Sequence, residues 1–322
     1  MISAEEIGEA VAVLRRGGLV AFPTETVYGL GCDAANSIAV GRLFCVKGRP
    51  ADHPVIVHLG DAALLDEWAS DVPEAARRLA AACWPGPLTI VLPRAPRVPD
   101  DVTGGRDSVA LRVPDQPVAL ALLRAFGGGV AAPSANRFGK VSPTTAADVR
   151  EDLGDDVDVV LDGGACTVGV ESTIVDFSDG DPVILRLGGY AREGLERLLG
   201  QSIDLSTEGE RAAPGTLPAH YAPQAGVVVV PRDELVSSAL AVAASGRIAG
   251  VLALEPPRGL PDTVVVLEPP RDVDEFARVL YVRMREADKL GLDVLLVVEP
   301  PDEGVGAAVR DRLRRASGRT SA

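Results

Sequence analysis

Lysine and histidine are scarce in this chain, which makes their clustering informative. There are only three lysines, Lys47, Lys140 and Lys289, and three histidines, His53, His58 and His220. Lys47, Arg49, His53 and His58 share one stretch, KGRPADHPVIVH, in which Pro50 and Pro54 restrict the backbone. Four cationic or titratable groups beside one strand edge suit a polyanion such as a triphosphate. Lys47 and Arg49 would also complement the negative end of a helix dipole, so that pair alone does not define a site. Two histidines without a cysteine or carboxylate at ligand spacing carry little weight for zinc.

Four further segments could carry chemistry. In SVALR, Ser108, Ala110 and Arg112 alternate onto one strand face; an arginine on an inner face is costly unless paired, so Arg112 points either to an anion or to the exposed face of an edge strand. In APSAN, Ser134 and Asn136 share a face at a strand's end, where α/β sheets place ligands; Lys140 and Ser142 follow. GVESTIVD and the following LRLG offer Ser172 and Arg186, among acidic residues that are either magnesium ligands or a solvated loop. PTETVYGLGCDA reads as a loop whose Thr and Glu side chains face a site, with Gly29 and Gly31 allowing close backbone approach. Its G-x-G-x-x-A match to a dinucleotide-binding turn is superficial, because a polar PTET segment separates the strand from the glycines. GxxxxGK[ST] is absent, so any nucleotide is held by another design. No nucleophile triad emerges, since the only histidine outside the Lys47 stretch is His220.

These residues need elements to position them. Strand patterns fall at 19–22, 55–59, 88–92, 109–113, 130–132, 157–161, 172–176 and 183–187. Helical patterns interleave at 37–46 (N-cap Asn36), 62–69, 74–82, 118–125, 145–153 and 192–199. The implied class is α/β with a large mixed sheet over residues 1–200. Periodicity fails over 201–225, which reads as a linker. Strands at 227–230, 248–254, 263–267 and 294–298 then alternate with helices at 233–244, 273–290 and 307–316, a doubly wound pattern over 226–322.

Composition bounds the function. A chain of 322 residues, 47% apolar and 24% charged, can build two ordinary globular cores. A formal charge of −14 argues against a general duplex binder. That charge is uneven: residues 151–181 hold ten acidic and no basic residues, whereas residues 41–60 sum to +2 and 91–150 to +3. Cys32, Cys45, Cys83 and Cys166 have no zinc or redox spacing, and the start of the chain lacks a signal-peptide pattern. No run reaches the roughly 18 apolar residues of a membrane span. A cytoplasmic protein with reduced thiols and no membrane partner is expected.

FPTETVYGLGCDA, VKGRPADHPVIVH, APSAN and GVESTIVD, in that order, resemble the YrdC-type threonylcarbamoyl-AMP synthases over about residues 8–200. The HYAP segment from His220 and the α/β tail resemble the longer, two-domain form. The resemblance implies a YrdC-like domain with a large twisted mixed sheet and a smaller, doubly wound Rossmann-like domain. It implies a nucleotidyltransferase that condenses L-threonine, bicarbonate or carbon dioxide, and ATP with Mg2+, giving threonylcarbamoyl-AMP and pyrophosphate. The product would pass to the tRNA threonylcarbamoyl transferase machinery that makes N6-threonylcarbamoyladenosine at tRNA position 37; direct tRNA binding is left open. By resemblance, the family's Lys-x-Arg and Ser-x-Asn sets fall on Lys47, Arg49, Ser134 and Asn136. ATP would contact Arg49, His53, Ser108, Ser134, Ser142, Arg186 and Tyr221. Threonine would contact Thr26, His58, Arg112, the backbone at Ala132, and Ser172. The linker would close over ATP through His220 and Tyr221, and no residue is itself assigned as a metal ligand. Two other classes compete: a double-stranded RNA-binding or ribosome-maturation module, which net acidity disfavours, and a carbamoyl-transfer enzyme with another acceptor.

Overall fold

The computed structural model describes residues 2–206 and 221–318. The described chain divides into two compact units, 2–138 with 142–206, and 139–141 with 221–318. His220 and the rest of 207–220 lie outside the described residues.

The first unit opens with α1 (Ala4–Arg15), β1 (Val20–Phe22), β2 (Gly29–Asp33), α2 (Ser37–Lys47) and β3 (Ile56–His58). It continues through α3 (Leu65–Trp68), α4 (Glu74–Cys83), β4 (Leu88–Pro93), α5 (Asp100–Thr103), β5 (Ser108–Arg112) and α6 (Pro117–Phe126). Then come β6 (Val130–Ala131), α7 (Ala146–Leu153), β7 (Val159–Val160), β8 (Thr173–Asp176), β9 (Val183–Arg186), α8 (Arg192–Leu199) and β10 (Asp204–Leu205). All ten strands form one mixed sheet, ordered β10-β9-β8-β4-β5-β3-β6-β2-β1-β7.

Every strand expected in this unit is present, with ends shifted by a residue or two. Two strands were not expected. The Gly29–Asp33 part of the supposed loop is β2, a buried strand antiparallel to β1. Its glycines hide it from propensity: a Cβ on Gly31 would come within 2.7 Å of both Phe22 and Val130, so only glycine lets those side chains pack across the strand. The other is β10, which extends the sheet into the expected linker by pairing parallel to β9.

Register then sorts the central strands into two faces. Val57, Leu111, Ile90 and Val175 are successive cross-strand partners on β3, β5, β4 and β8, and all enter the main apolar core. On the opposite face these four strands contribute only a small apolar cluster, Ile56, Ala110, Val91 and Ile174, while farther along the sheet Val130, Val20 and Phe22 enter a second core with α1 and α6. Alternation therefore places His58, Arg112 and Thr89 on that second face, with His58 partnering Arg112, Thr89 partnering Ile174, and Ile174 partnering Arg186.

The second unit comprises β11 (Gly226–Val229), α9 (Leu235–Ala244), β12 (Ala249–Leu252), β13 (Val265–Val266), α10 (Val273–Lys289), β14 (Val294–Val297) and α11 (Gly306–Ala316). Its four strands are all parallel, in the order β11-β14-β12-β13. Residues 221–225, also expected as linker, belong to this unit. Ala225 N–H donates to Asp288 Oδ1 (2.9 Å), and Tyr221 is buried with its ring stacked on Tyr281 (centroids 5.7 Å apart). The guanidinium of Arg312 lies over the Tyr221 ring, 5.0 Å from its centroid. Tyr221 takes φ +64°, a left-handed conformation costing on the order of 1 kcal/mol, which this stacking and cation–π contact can offset. Among the described residues no helix is long and apolar enough to cross a membrane.

Candidate active site

Helix α2 delivers the first cations. Asn36 caps it, accepting hydrogen bonds from the N–H groups of Ile38 and Ala39, a cap worth about 1 kcal/mol. Gly48 ends it at φ +63°, a conformation glycine adopts without strain, and the chain turns so that Arg49 N–H returns to Phe44 O. Lys47 does more than complement the helix dipole. Its buried Nζ donates to the carbonyls of Ser134 and Asn136, both at 2.5 Å, tying the Lys-x-Arg and Ser-x-Asn segments together. Burial, reinforced by the nearby Arg49 charge, holds the Lys47 ammonium well below the usual lysine range. Arg49 is anchored by Nη2 donating to Pro54 O (2.8 Å). Ser134 Oγ donates to Asn136 Oδ1 (2.5 Å), and the segment is held to β2 by a bridge between Ser134 and Gly29. His53 is partly exposed beside Phe138, its pKa lowered by burial and then by Arg49.

The amino-acid candidates sit on the second sheet face or at its margin. Arg112 is almost completely buried on an interior strand, which excludes an exposed edge. Its partner within the chain is Glu25: Nη2 donates to Glu25 Oε1 (2.7 Å), while Nε donates to Gly86 O (3.2 Å). Glu25 Oε2 accepts from Asp115 N–H (3.0 Å), so one carboxylate orients both the arginine and the loop after β5. Beside Arg112, His58 is buried, edge-on to Phe22, and its Nδ1 has no hydrogen-bond partner. Burial and then the Arg112 charge push its pKa down to about 3, so the ring is a neutral imidazole. Thr26 is buried with its hydroxyl 2.8 Å from that of Thr24. Ala132 N–H is spent on Ile56 O (2.9 Å).

A third group joins the two ligand sets. Arg186 donates from Nε (3.1 Å) and Nη2 (2.8 Å) to Ser172 O, and from Nη2 to Ser172 Oγ (3.0 Å). Ser142 Oγ donates to Glu171 Oε1 (2.7 Å). Glu171 and Asp176 are both buried, so this part of the acidic run is interior and not the solvated loop considered above. Ser108 opens β5, on the same face as Arg112. Tyr221 lies in the second unit. Thr89 and Glu171 were not singled out from the sequence, whereas Glu25, the Glu of PTET, was expected to face a site. A cavity of about 670 Å³ lies against Ile2, Ile7, Thr24, Glu25, Asp115 and Gln116; Thr24 and Glu25 of the PTET loop line it, but none of the residues expected to contact ATP or threonine does.

Buried cations, a neutral histidine and hydroxyls gathered on and around one face of the central strands, opposite the main apolar core, form a candidate site suited to anionic substrates. Residues 12–188 match the Sua5/YciO/YrdC family model, described as telomere recombination, and residues 190–318 match the threonylcarbamoyl-AMP synthase C-terminal domain. The chain belongs to the Sua5/YrdC family of threonylcarbamoyl-AMP synthases, in its two-domain form. It is 42% identical to the threonylcarbamoyl-AMP synthase of Pyrococcus abyssi over 96% of this chain and 93% of that protein. For the Bacillus subtilis threonylcarbamoyl-AMP synthase the identity is 40%, over 97% and 93%. The crystal structure of P. abyssi Sua5 complexed with L-threonine superposes with a TM-score of 0.93 at 41% identity, covering 99% of this chain and 96% of that one.

Proposed function

We propose that this chain makes threonylcarbamoyl-AMP from L-threonine, bicarbonate or carbon dioxide, and MgATP. The threonine amine adds to carbon dioxide and loses a proton, giving a carbamate. A carbamate oxygen then attacks the α-phosphorus of ATP, and the bond to the departing pyrophosphate breaks. The chain's part is positioning and charge neutralisation, with no covalent enzyme intermediate. Arg112 would take the threonine carboxylate, with Thr26, His58, Ser172 and the backbone at Ala132 reading the rest of the amino acid. The unpartnered His58 Nδ1 supports this reading, as a buried polar atom calls for a ligand. Lys47, Arg49, His53, Ser108, Ser134, Asn136, Ser142, Arg186 and Tyr221 would hold the nucleotide, and Mg2+ would arrive on its phosphates. The cytoplasm and the tRNA threonylcarbamoyl transferase machinery are the proposed setting and recipient.

The observation that carries this reading is the Lys47 clamp, which assembles two distant motifs into one anion-facing corner. The test incubates the chain with ATP, Mg2+, bicarbonate and single amino acids while following pyrophosphate. Release that requires both threonine and bicarbonate is expected. Release with another acceptor would replace threonine in the reading, and no release with any amino acid would overturn it.

A further inference from the structure

The buried hydroxyls of Thr89 and Ser172 lie 2.7 Å apart, from β4 and from the residue before β8. Ser172 Oγ also accepts from Arg186 Nη2 (3.0 Å), and among the described residues Thr89 Oγ1 bonds only to Ser172. The two hydroxyls carry two protons, yet the contact between them uses one. Both hydroxyls are fully buried, so in either orientation the chain leaves one proton without an acceptor, a loss of about 1–3 kcal/mol: that of Thr89 if Ser172 donates, that of Ser172 if Thr89 donates. If Thr89 donates, both lone pairs of Ser172 Oγ are filled, by Thr89 and by Arg186. The Ser172 proton then has one direction left, which selects for an acceptor on a ligand.

We propose that Thr89 is a positioning residue that aims the Ser172 hydroxyl at an oxygen of the bound amino acid, and that Ser172 thereby couples the amino-acid site to the nucleotide-binding Arg186. The inference rests on the assignment of threonine to Ser172 and of ATP to Arg186 made above. A ligand oxygen that takes the Ser172 proton makes Oγ a stronger acceptor for Arg186, since successive hydrogen bonds polarise one another. Coupling of this kind is reciprocal, so nucleotide tightens amino-acid binding and the amino acid tightens nucleotide binding.

Calorimetric titration of threonine into the full chain, with and without a saturating non-hydrolysable ATP analogue and Mg2+, tests this. In the parent protein the analogue should lower the threonine Kd by about fivefold or more. Thr89→Val, which keeps the volume and removes the hydroxyl, should leave a change of less than about twofold in a protein whose far-UV circular dichroism is still that of the folded parent. Thr89→Ser should restore the coupling. Parental coupling in Thr89→Val, equal loss in Thr89→Ser, or no coupling in the parent overturns the inference while leaving the proposed reaction standing. Failure of the parent to bind threonine at all overturns both.

Discussion

The two units bury very different side chains. Among the described residues the second unit encloses a single charged side chain, Arg312, and the two phenols of Tyr221 and Tyr281 within an otherwise apolar interior. The first buries Glu25, Lys47, Arg49, His58, Arg112, Asp148, Glu171, Asp176 and Arg186, besides Asn136 and several hydroxyl groups. Buried ions are expensive and rarely stabilise a fold better than apolar residues would. A unit that gathers most of them around one candidate site is spending stability on that site, whereas the second unit keeps nearly to the ordinary rule that charge stays in water.

The sharpest way to break that contrast is Glu25→Gln. It leaves the buried Arg112 charge uncompensated, and an unfolding titration should show a loss of about 3–5 kcal/mol; a loss below 1 kcal/mol would mean that solvent or another group already compensates Arg112. Lys47→Met comes next. Pyrophosphate release should fall by about 100- to 1,000-fold while far-UV circular dichroism stays that of a folded protein. Unchanged turnover would reduce the clamp to scaffolding.

The third prediction concerns pH. The His58 pKa is about 3 in the folded chain and near 6.5 when unfolded, so the unfolded state takes up the proton first and stability is lost as pH falls below 6.5. Between pH 7.5 and 5.5 the parent should lose about 1.4 kcal/mol more than His58→Gln, and parallel pH profiles for the two would show that the imidazole is not neutral when folded. The smallest effect belongs to the second unit. Arg312→Met should cost about 1 kcal/mol through the lost cation–π contact and leave threonine affinity unchanged. Weakened threonine binding in that variant would show that the division of labour between the units is wrong.

Most elements were legible because burial imposes a period. Asn36 announced α2, α7 begins one residue inside the expected 145–153 because Thr145 serves as its N-cap, and 192–199 emerged as α8 without adjustment. Strand β2 was not legible, since glycines chosen for the space above them look like loop residues. Nor did composition distinguish linker from structure at 204–205 and 221–225, where short polar and proline-flanked segments gain order only from partners far along the chain. Within the site, residues of rare type or on alternating strand positions stood out. Thr89 and Glu171 did not, because an acidic or hydroxyl side chain becomes informative only through its neighbours.

The sequence by itself determined the α/β class, the two-part organisation, the family, and which side chains had chemistry to offer, because periodicity and residue type are local properties. Tertiary structure alone decided that Lys47 closes on Ser134 and Asn136, that Arg112 faces Glu25, and that Thr89 meets Ser172 beside Arg186. Those pairings join residues up to 89 positions apart. They depend on strand order and register, which hydrogen bonding across the whole sheet sets and no single segment encodes.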